Sequence, residues 1–301
     1  MAESGEIRVG PAGWSYDDWA GIVYPRTRSA GFHEASYLAE YFDTIEINVS
    51  FYRPLTPAMT RGWLGRVSGN PRFLFTAKLW QRFTHEREYT PADILEFRAG
   101  MDVLLEAGKL GALLVQFPFS FKSNAEERTY LFRLARDLRE FPLVVEVRHA
   151  SWNEAGFYQA LAEHGMGFCN IDQPVIGRSL RPSERATSPV GYVRLHGRNY
   201  REWFADRPDD EAAERYNYLY PADELKPWAE RIERVAETTN RTFVITNNHF
   251  QGKAVTNALQ LVHLLTRKPV RVPPSLLAHY PELEPIASPA GTTPSLFPAP
   301  R

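Results

Sequence analysis

Residues 144–152, VVEVRHASW, combine the apolar character of a buried strand with two charged side chains. A strand buried on both faces is usually a continuous apolar run, and charged residues are seldom buried unless they are paired or used. Side chains alternate faces along a strand, so Val145 and Val147 share one face. Glu146 and Arg148 share the other. The stretch therefore predicts a buried strand with one apolar face and one charged face.

Seven further runs of this kind alternate with longer segments of helical period. Such alternation indicates parallel strands joined by crossover helices. Eight strands in a chain of 301 residues favour a single-domain, TIM-type (β/α)8 barrel of the α/β class over a doubly wound sheet, because no Gly-rich phosphate-binding motif follows the first run. The eight predicted strands are residues 7–13, 44–52, 72–79, 111–118, 143–149, 167–172, 191–197 and 242–248.

Local signals mark the helix boundaries. Asn124 with Glu127, and Ser151 with Glu154, have the spacing of a capping box and predict two helix N-termini. Residues 173–190 contain no convincing helix. We predict a barrel domain at residues 1–268 and an irregular, Pro-rich C-terminal extension at 269–301 that runs as an extended surface tail.

Composition narrows the classes of protein. A net charge of −1 gives no long-range attraction to nucleic acid or to an anionic membrane. The first residues lack the pattern of a signal peptide, and no run approaches the ~18 apolar residues of a membrane span. Cys169 is the only cysteine, which excludes an intramolecular disulfide and a cysteine-rich zinc site. These features predict a soluble cytoplasmic protein with no membrane association.

The separation of polar and apolar faces recurs in other strands. In a barrel the apolar face is covered by helices, so the polar face looks into the interior, and polar residues near strand C-termini lie where barrel enzymes place their chemistry. The alternative is a layer of paired charges that only fills space. Alternation predicts that the following side chains point into the barrel: Glu46, Asn48, Lys78, Gln116, Glu146, Arg148, Asn170, Asp172, Arg194, His196 and Asn247.

Long motifs spread over about residues 7–265 resemble the YecE-like family, the domain of unknown function numbered 72. Members of this family adopt a TIM-type barrel, so the resemblance implies that fold. A likeness to barrel endonucleases that repair abasic DNA has been proposed for the family, and those enzymes hold zinc ions. The motifs are GWSYDDWAGIVYP (13–25), YFDTIEINVSFYRP (41–54), FTAKLWQRFTH (75–85), LLVQFPFSF (113–121), VEVRHASW (145–152), YVRLHGR (192–198) and ITNNHFQGKAVTNA (245–258).

The inward residues do not form a convincing zinc set. Lys78, Arg148 and Arg194 stand beside the carboxylates, and their positive charge would oppose binding of a trinuclear zinc cluster. We therefore predict no metal site and no cofactor, although a weakly bound divalent metal such as Mg²⁺ remains compatible with the carboxylates.

Three residues are the predicted catalytic groups. Glu46 and Glu146, on strands that face each other across the barrel, could act as general acid and general base. They could equally be counter-ions of Lys78 and Arg148. Lys78 itself is either a nucleophile with a lowered pKa or an anion-binding charge.

A cationic region and several loop residues predict the ligand. Arginine suits phosphate and carboxylate, so we expect an anionic small molecule or nucleotide in a hydrolase, lyase or isomerase reaction. The alternatives are a nucleic-acid-binding protein, which the net charge disfavours, and a non-catalytic binding barrel. Aromatic loop residues could form a packed lid or a stacking wall. The predicted ligand-binding residues are Asn48, Arg148, Asp172, Arg194, His196, Arg198, Asn247, Asn248, Trp14, Tyr52 and Trp152, with Trp203 among the further loop aromatics.

Overall fold

A computed structural model describes residues 5–201 and 212–289 of the chain. Eight parallel strands follow one another in the order β1-β8-β7-β6-β5-β4-β3-β2. A parallel bridge between Ala12 and Glu46 joins β1 to β2 and brings the ring close to closure. The predicted TIM-type (β/α)8 barrel is thus confirmed. The strands are β1 Glu6–Pro11, β2 Thr44–Ile47, β3 Leu74–Lys78, β4 Leu110–Gln116, β5 Leu143–Glu146, β6 Gly167–Asp172, β7 Val190–Leu195 and β8 Arg241–Thr246.

Helices surround the strands. The connection from β6 to β7 contains no helix, as the sequence predicts. Within the described residues, no helix combines the length and apolarity needed to cross a bilayer. The α-helices are α1 Glu34–Leu38, α2 Val49–Tyr52, α3 Pro57–Arg66, α4 Pro91–Glu106, α5 Ala125–Asp137, α6 Ala155–Glu163, α7 Ala222–Ala236, α8 Lys253–Thr266 and α9 Pro274–His279.

One of the two predicted caps is present. The side chain of Asn124 accepts a hydrogen bond from the backbone N–H of Glu127 at 2.9 Å and caps α5. Ser151 does not cap α6, because the N-cap residue is Glu154. Ser151 instead lies in a 3₁₀ turn with its hydroxyl 2.8 Å from Nδ1 of His149. The turn delays the start of the helix by three residues, so that prediction was wrong.

The segment that follows α8 also differs from its prediction. Residues 274–279 form helix α9 and residues 281–286 a 3₁₀ helix, and Leu276 and Leu283 are fully buried. An extended surface tail is therefore wrong for this part of the chain. Pro274 occupies the first turn of its helix, where proline favours helix formation rather than opposing it. Residues 290–301 lie outside the described residues, and the division of the chain at residue 268 stays a prediction.

Strand register decides which side chains share the interior. In a parallel pair, residues in register point to the same face of the sheet. Glu46 is in register with Thr76, two residues before Lys78 on β3, and Gln116 is in register with Glu146. The alternation predicted for β2, β3 and β5 is therefore confirmed.

The alternation predicted for β6 is wrong. Ile171 is in register with Arg194, which points inward, and Cys169 Sγ lies 4.0 Å from Glu146 Oε2. The apolar residues of β6 thus face the interior, whereas Asn170 and Asp172 face outward. Their side chains make hydrogen bonds to loop residues outside the barrel. Asn170 Oδ1, for example, accepts a hydrogen bond from the backbone N–H of Arg185 at 2.7 Å.

Candidate functional site

The centre of the barrel holds a buried ion cluster, which we define as Glu46, Glu146, Arg194 and His196. Nη2 of Arg194 donates to Glu46 Oε1 at 2.7 Å, and Nη1 donates to Glu146 Oε2 at 2.7 Å. All four side chains have an exposed fraction of 0%. One guanidinium therefore bridges the two carboxylates predicted to be catalytic, which is the counter-ion arrangement.

The remaining carboxylate oxygens are also used. Tyr192 donates its hydroxyl proton to Glu46 Oε2 at 2.8 Å, and Arg148 donates to Glu146 Oε1 from Nη2 at 3.0 Å. Burial opposes the charge of Glu146, but Arg194 and Arg148 together hold the pKa of Glu146 well below its usual value. Glu146 therefore stays ionised and has no proton to donate at neutral pH.

The hydrogen bonds of His196 define its tautomer. The amide Nδ2 of Asn247 lies 3.1 Å from His196 Nδ1, which must accept, so the ring proton is on Nε2 and is donated to Glu146 Oε1 at 3.2 Å. Burial lowers the pKa of His196 to about 3, so the ring is neutral. His196 thus acts in the cluster as a hydrogen-bond donor rather than as a cation.

A cavity of about 530 Å³ opens at the C-terminal ends of the strands beside this cluster. Neither Glu46 nor Glu146 lines it. The walls combine aromatic rings with a small number of polar groups, as is typical of small-molecule sites. Among the lining residues are Trp14, Tyr16, Asn48, Tyr52, Trp63, Lys78, Tyr216, Asn247 and His249.

The loop after β1 forms one wall of the cavity. Gly13 has a φ of +76°, and a Cβ atom there would lie 2.7 Å from the hydroxyl of Tyr16 and 3.1 Å from Nδ2 of Asn48. Only glycine allows this close approach. The next residue, Trp14, packs edge-to-face against Trp63 of α3 with ring centroids 5.1 Å apart. The loop therefore brings an aromatic pair and an amide to one side of the cavity.

Lys78 is the less exposed of the two cations that line this cavity, the other being Arg53. It ends β3, and its side chain is 13% exposed. In the described part of the chain its ammonium makes no hydrogen bond, and Nζ lies 4.0 Å from Glu46 Oε1. Burial, followed by the nearby charge of Arg194, lowers the pKa of Lys78 to about 8. Lys78 can therefore gain and lose a proton close to neutral pH.

His249 also lines the cavity. Its ring stacks on Tyr16 at 4.4 Å and packs against Tyr216 at 4.9 Å. Burial lowers the pKa of His249 to about 4, so the ring is neutral. Its Nδ1 has no hydrogen-bond partner among the described residues, and the same holds for Oδ1 of Asn48.

Seven predicted ligand-binding residues do not line this cavity. Arg148, Arg194 and His196 contact Glu146 in the buried ion cluster. The other four lie elsewhere. Asp172 faces outward and forms a bidentate ion pair with Arg198 at 2.8 and 2.9 Å. Asn248 donates to Oδ1 of Asn257 at 2.7 Å and holds helix α8. Their polar groups anchor the long loop after β7, which explains their position.

Trp152 is the fourth. It is fully buried, and its Nε1 donates to the backbone carbonyl of Phe121 at 2.8 Å. The 3₁₀ turn before α6 directs the ring into the hydrophobic core, so its predicted place at the ligand is not supported. Trp203 lies outside the described residues.

Sequence reasoning missed three contributors. Tyr192 shares the inward face of β7 with Arg194, and the alternation that located Arg194 would have found it. Trp63 comes from helix α3, and no strand pattern indicates it. Tyr216 comes from the excursion after β7, where the sequence gives no position relative to the barrel. In the residues that the structure describes, no group of three or more His, Cys, Asp or Glu side chains could hold a metal ion.

Comparison with known proteins identifies the family. A DUF72 family protein of Thermotoga maritima is 31% identical, with a TM-score of 0.73 over 87% of this chain and 99% of that chain. A second, from Enterococcus faecalis, has 23% identity and a TM-score of 0.75 over 86% of this chain and 95% of that chain, which supports the fold. No curated protein matches the sequence. The family described as "Protein of unknown function DUF72" matches residues 8–281, and the chain therefore belongs to the DUF72 family.

Proposed function

We propose that the cavity binds an anionic small molecule at Lys78 and that Lys78 transfers a proton to or from it. The observation that carries this proposal is that the Lys78 ammonium lines the cavity and makes no hydrogen bond to any described residue. A cation whose donors are not used by the protein is suited to a phosphate or carboxylate. A pKa of about 8 also suits acid–base catalysis near neutral pH.

The buried ion cluster supports this role electrostatically. Arg194, Arg148 and a protonated Lys78 are three cations beside two carboxylates, and His196 is neutral. The group therefore carries one excess positive charge while Lys78 is protonated and none when Lys78 is neutral. In this proposal Glu46 and Glu146 hold the arginines in position. The acid–base role that the sequence predicts for the two glutamates is assigned to Lys78 instead.

Sulfate is a suitable probe of the anion site because its charge is constant between pH 6 and pH 9.5. We expect sulfate to raise the Tm of the protein below pH 8, and the increase to fade as the pH rises through about 8, because Lys78 loses its charge there. The Lys78→Met variant should lose the effect, whereas Lys78→Arg should keep it above pH 8. Lys226→Met, an exposed lysine of α7, is the matched control. An unchanged response in Lys78→Met would contradict the proposal.

Proton transfer is tested separately in D₂O. Phosphorylated and carboxylated carbonyl compounds are incubated with the protein, and NMR detects deuterium at the carbon next to the carbonyl group. We expect exchange that Lys78→Met abolishes. Binding without exchange would favour the non-catalytic barrel. Affinity for DNA that falls steeply between two salt concentrations would favour the nucleic-acid alternative.

A further inference from the structure

The hydrogen bonds around Tyr16 fix the orientation of the Asn48 amide. Tyr16 donates its hydroxyl proton to the backbone carbonyl of Ala12 at 2.7 Å. Its oxygen can therefore only accept from Asn48, 3.2 Å away, so the amide nitrogen of Asn48 faces Tyr16. The other end of the amide, Oδ1, is left as an acceptor without a partner in the described residues.

Two buried polar atoms of residues that line the cavity, Asn48 Oδ1 and His249 Nδ1, have no hydrogen-bond partner among the described residues. The Lys78 ammonium has an ion pair with Glu46 at 4.0 Å but makes no hydrogen bond to a described residue. The three groups differ in what they need. Asn48 Oδ1 accepts, the Lys78 ammonium donates, and Nδ1 of a neutral His249 does one or the other depending on its tautomer. A buried polar atom without a partner costs about 1–3 kcal/mol, so a ligand that satisfies it gains affinity. Hydroxyl groups both donate and accept, and a ligand carrying several of them satisfies all three positions.

The apolar part of the cavity selects the shape of that ligand. Trp14 and Trp63 meet at an interplanar angle of 84°, so they form a corner and not the parallel pair that would sandwich a planar base. A corner of this kind packs against the C–H face of a saturated ring. The volume of about 530 Å³ accommodates a ligand of one or two sugar rings.

We propose that the cavity takes a sugar ring that carries a phosphate or carboxylate group. The anionic group lies at Lys78, hydroxyls bind Asn48 and His249, and the C–H face of the ring packs on Trp14 and Trp63. The placement of the anionic group at Lys78 rests on the proposed function. The hydroxyl and stacking contacts do not depend on it: they are inferred from the unpartnered atoms of Asn48 and His249 and from the Trp14–Trp63 corner.

The test compares sugar anions with a ring that lacks hydroxyls. Isothermal titration calorimetry measures binding of glucose 6-phosphate, mannose 6-phosphate, fructose 6-phosphate, ribose 5-phosphate and glucuronate beside phenyl phosphate and sulfate. We expect at least one sugar anion to bind about tenfold more tightly than phenyl phosphate, since satisfying one buried polar group is worth roughly that factor. In Asn48→Leu and in His249→Phe, which keeps an aromatic ring between Tyr16 and Tyr216, this advantage should disappear. Gln159→Leu, on the exposed face of α6, should retain it.

The outcomes separate the two proposals. If phenyl phosphate and sulfate bind as tightly as every sugar anion, the sugar inference is overturned and the anion site stands. If no anion in the panel binds, both fail. If the advantage survives in both Asn48→Leu and His249→Phe, the hydroxyl contacts lie elsewhere and the assignment to this cavity is wrong.

Discussion

The buried ion cluster and the cavity wall beside it are built from similar side chains, but they differ in how their polar atoms are used. All four carboxylate oxygens of Glu46 and Glu146 accept hydrogen bonds. On the wall, Asn48 Oδ1 and His249 Nδ1 have no hydrogen-bond partner in the part of the chain that the structure describes, and the Lys78 ammonium, 4.0 Å from Glu46, makes no hydrogen bond there. The comparison teaches that residue type does not separate the cluster from the cavity wall, whereas the use of their acceptor oxygens does. Nε of Arg194, a donor in the cluster, also has no partner among the described residues.

Removing the central cation tests whether the cluster is structural. We expect Arg194→Met to lower the free energy of unfolding by about 3–5 kcal/mol, because it leaves two carboxylates buried without their shared partner. Urea denaturation measures the change. The control is Arg267→Met, which breaks an exposed pair with Glu233 and should cost less than about 1 kcal/mol. Equal stability of the two variants would break the comparison.

Gly13 tests how the wall is held in place. We expect Gly13→Ala to cost about 1–3 kcal/mol, because the residue has a positive φ and the new Cβ would press on Tyr16 and Asn48. Gly62→Ala in α3 is the matched control. Gly62 is helical with open space around it, so alanine should stabilise by about 0.5–1 kcal/mol. Thermal unfolding should show a lower stability for Gly13→Ala and a higher stability for Gly62→Ala. Unchanged stability of Gly13→Ala would show that the loop accommodates the new Cβ without strain.

Two histidines, one on the cavity wall and one in the buried ion cluster, allow the two regions to be compared by the same substitution. His249→Phe removes a nitrogen that has no hydrogen-bond partner among the described residues and keeps the ring stack, so the free energy of unfolding should change by less than about 0.5 kcal/mol. His196→Phe removes the hydrogen bonds to Glu146 and Asn247 and should cost more than about 2 kcal/mol. Chemical denaturation of the pair decides the point. A larger loss for His249→Phe would contradict the assignment of unused atoms to the wall.

The fold could be predicted from the sequence because each strand carries its own signal. Eight β-prone runs alternate with helical segments, and a parallel barrel is the arrangement that uses all of them. The inward positions of Glu46, Lys78, Glu146 and Arg194 follow from side-chain alternation once one face is apolar.

The rest of the site could not be predicted, for three physical reasons. A polar residue of a strand points to the interior only where the outside offers it no polar partner. Outside β6, Asn170 binds the backbone N–H of Arg185 and Asp172 binds the side chain of Arg198. The contribution of Trp63 depends on how α3 packs over the mouth, and a helix pattern does not specify this. Whether Glu146 is free or paired also depends on a residue 48 positions away, Arg194.

Glu46 has two roles: its backbone joins the first two strands of the barrel, and its carboxylate acts electrostatically on the cavity. Its backbone closes the gap between the first two strands through Ala12 and Gly13, while its carboxylate lies 4.0 Å from the ammonium of Lys78. Movement of the backbone where β1 meets β2 would therefore change the distance between the Glu46 carboxylate and the Lys78 ammonium, and with it the pKa of Lys78. Sequence changes confined to the first loop can in this way alter the pKa of Lys78 without contacting its side chain.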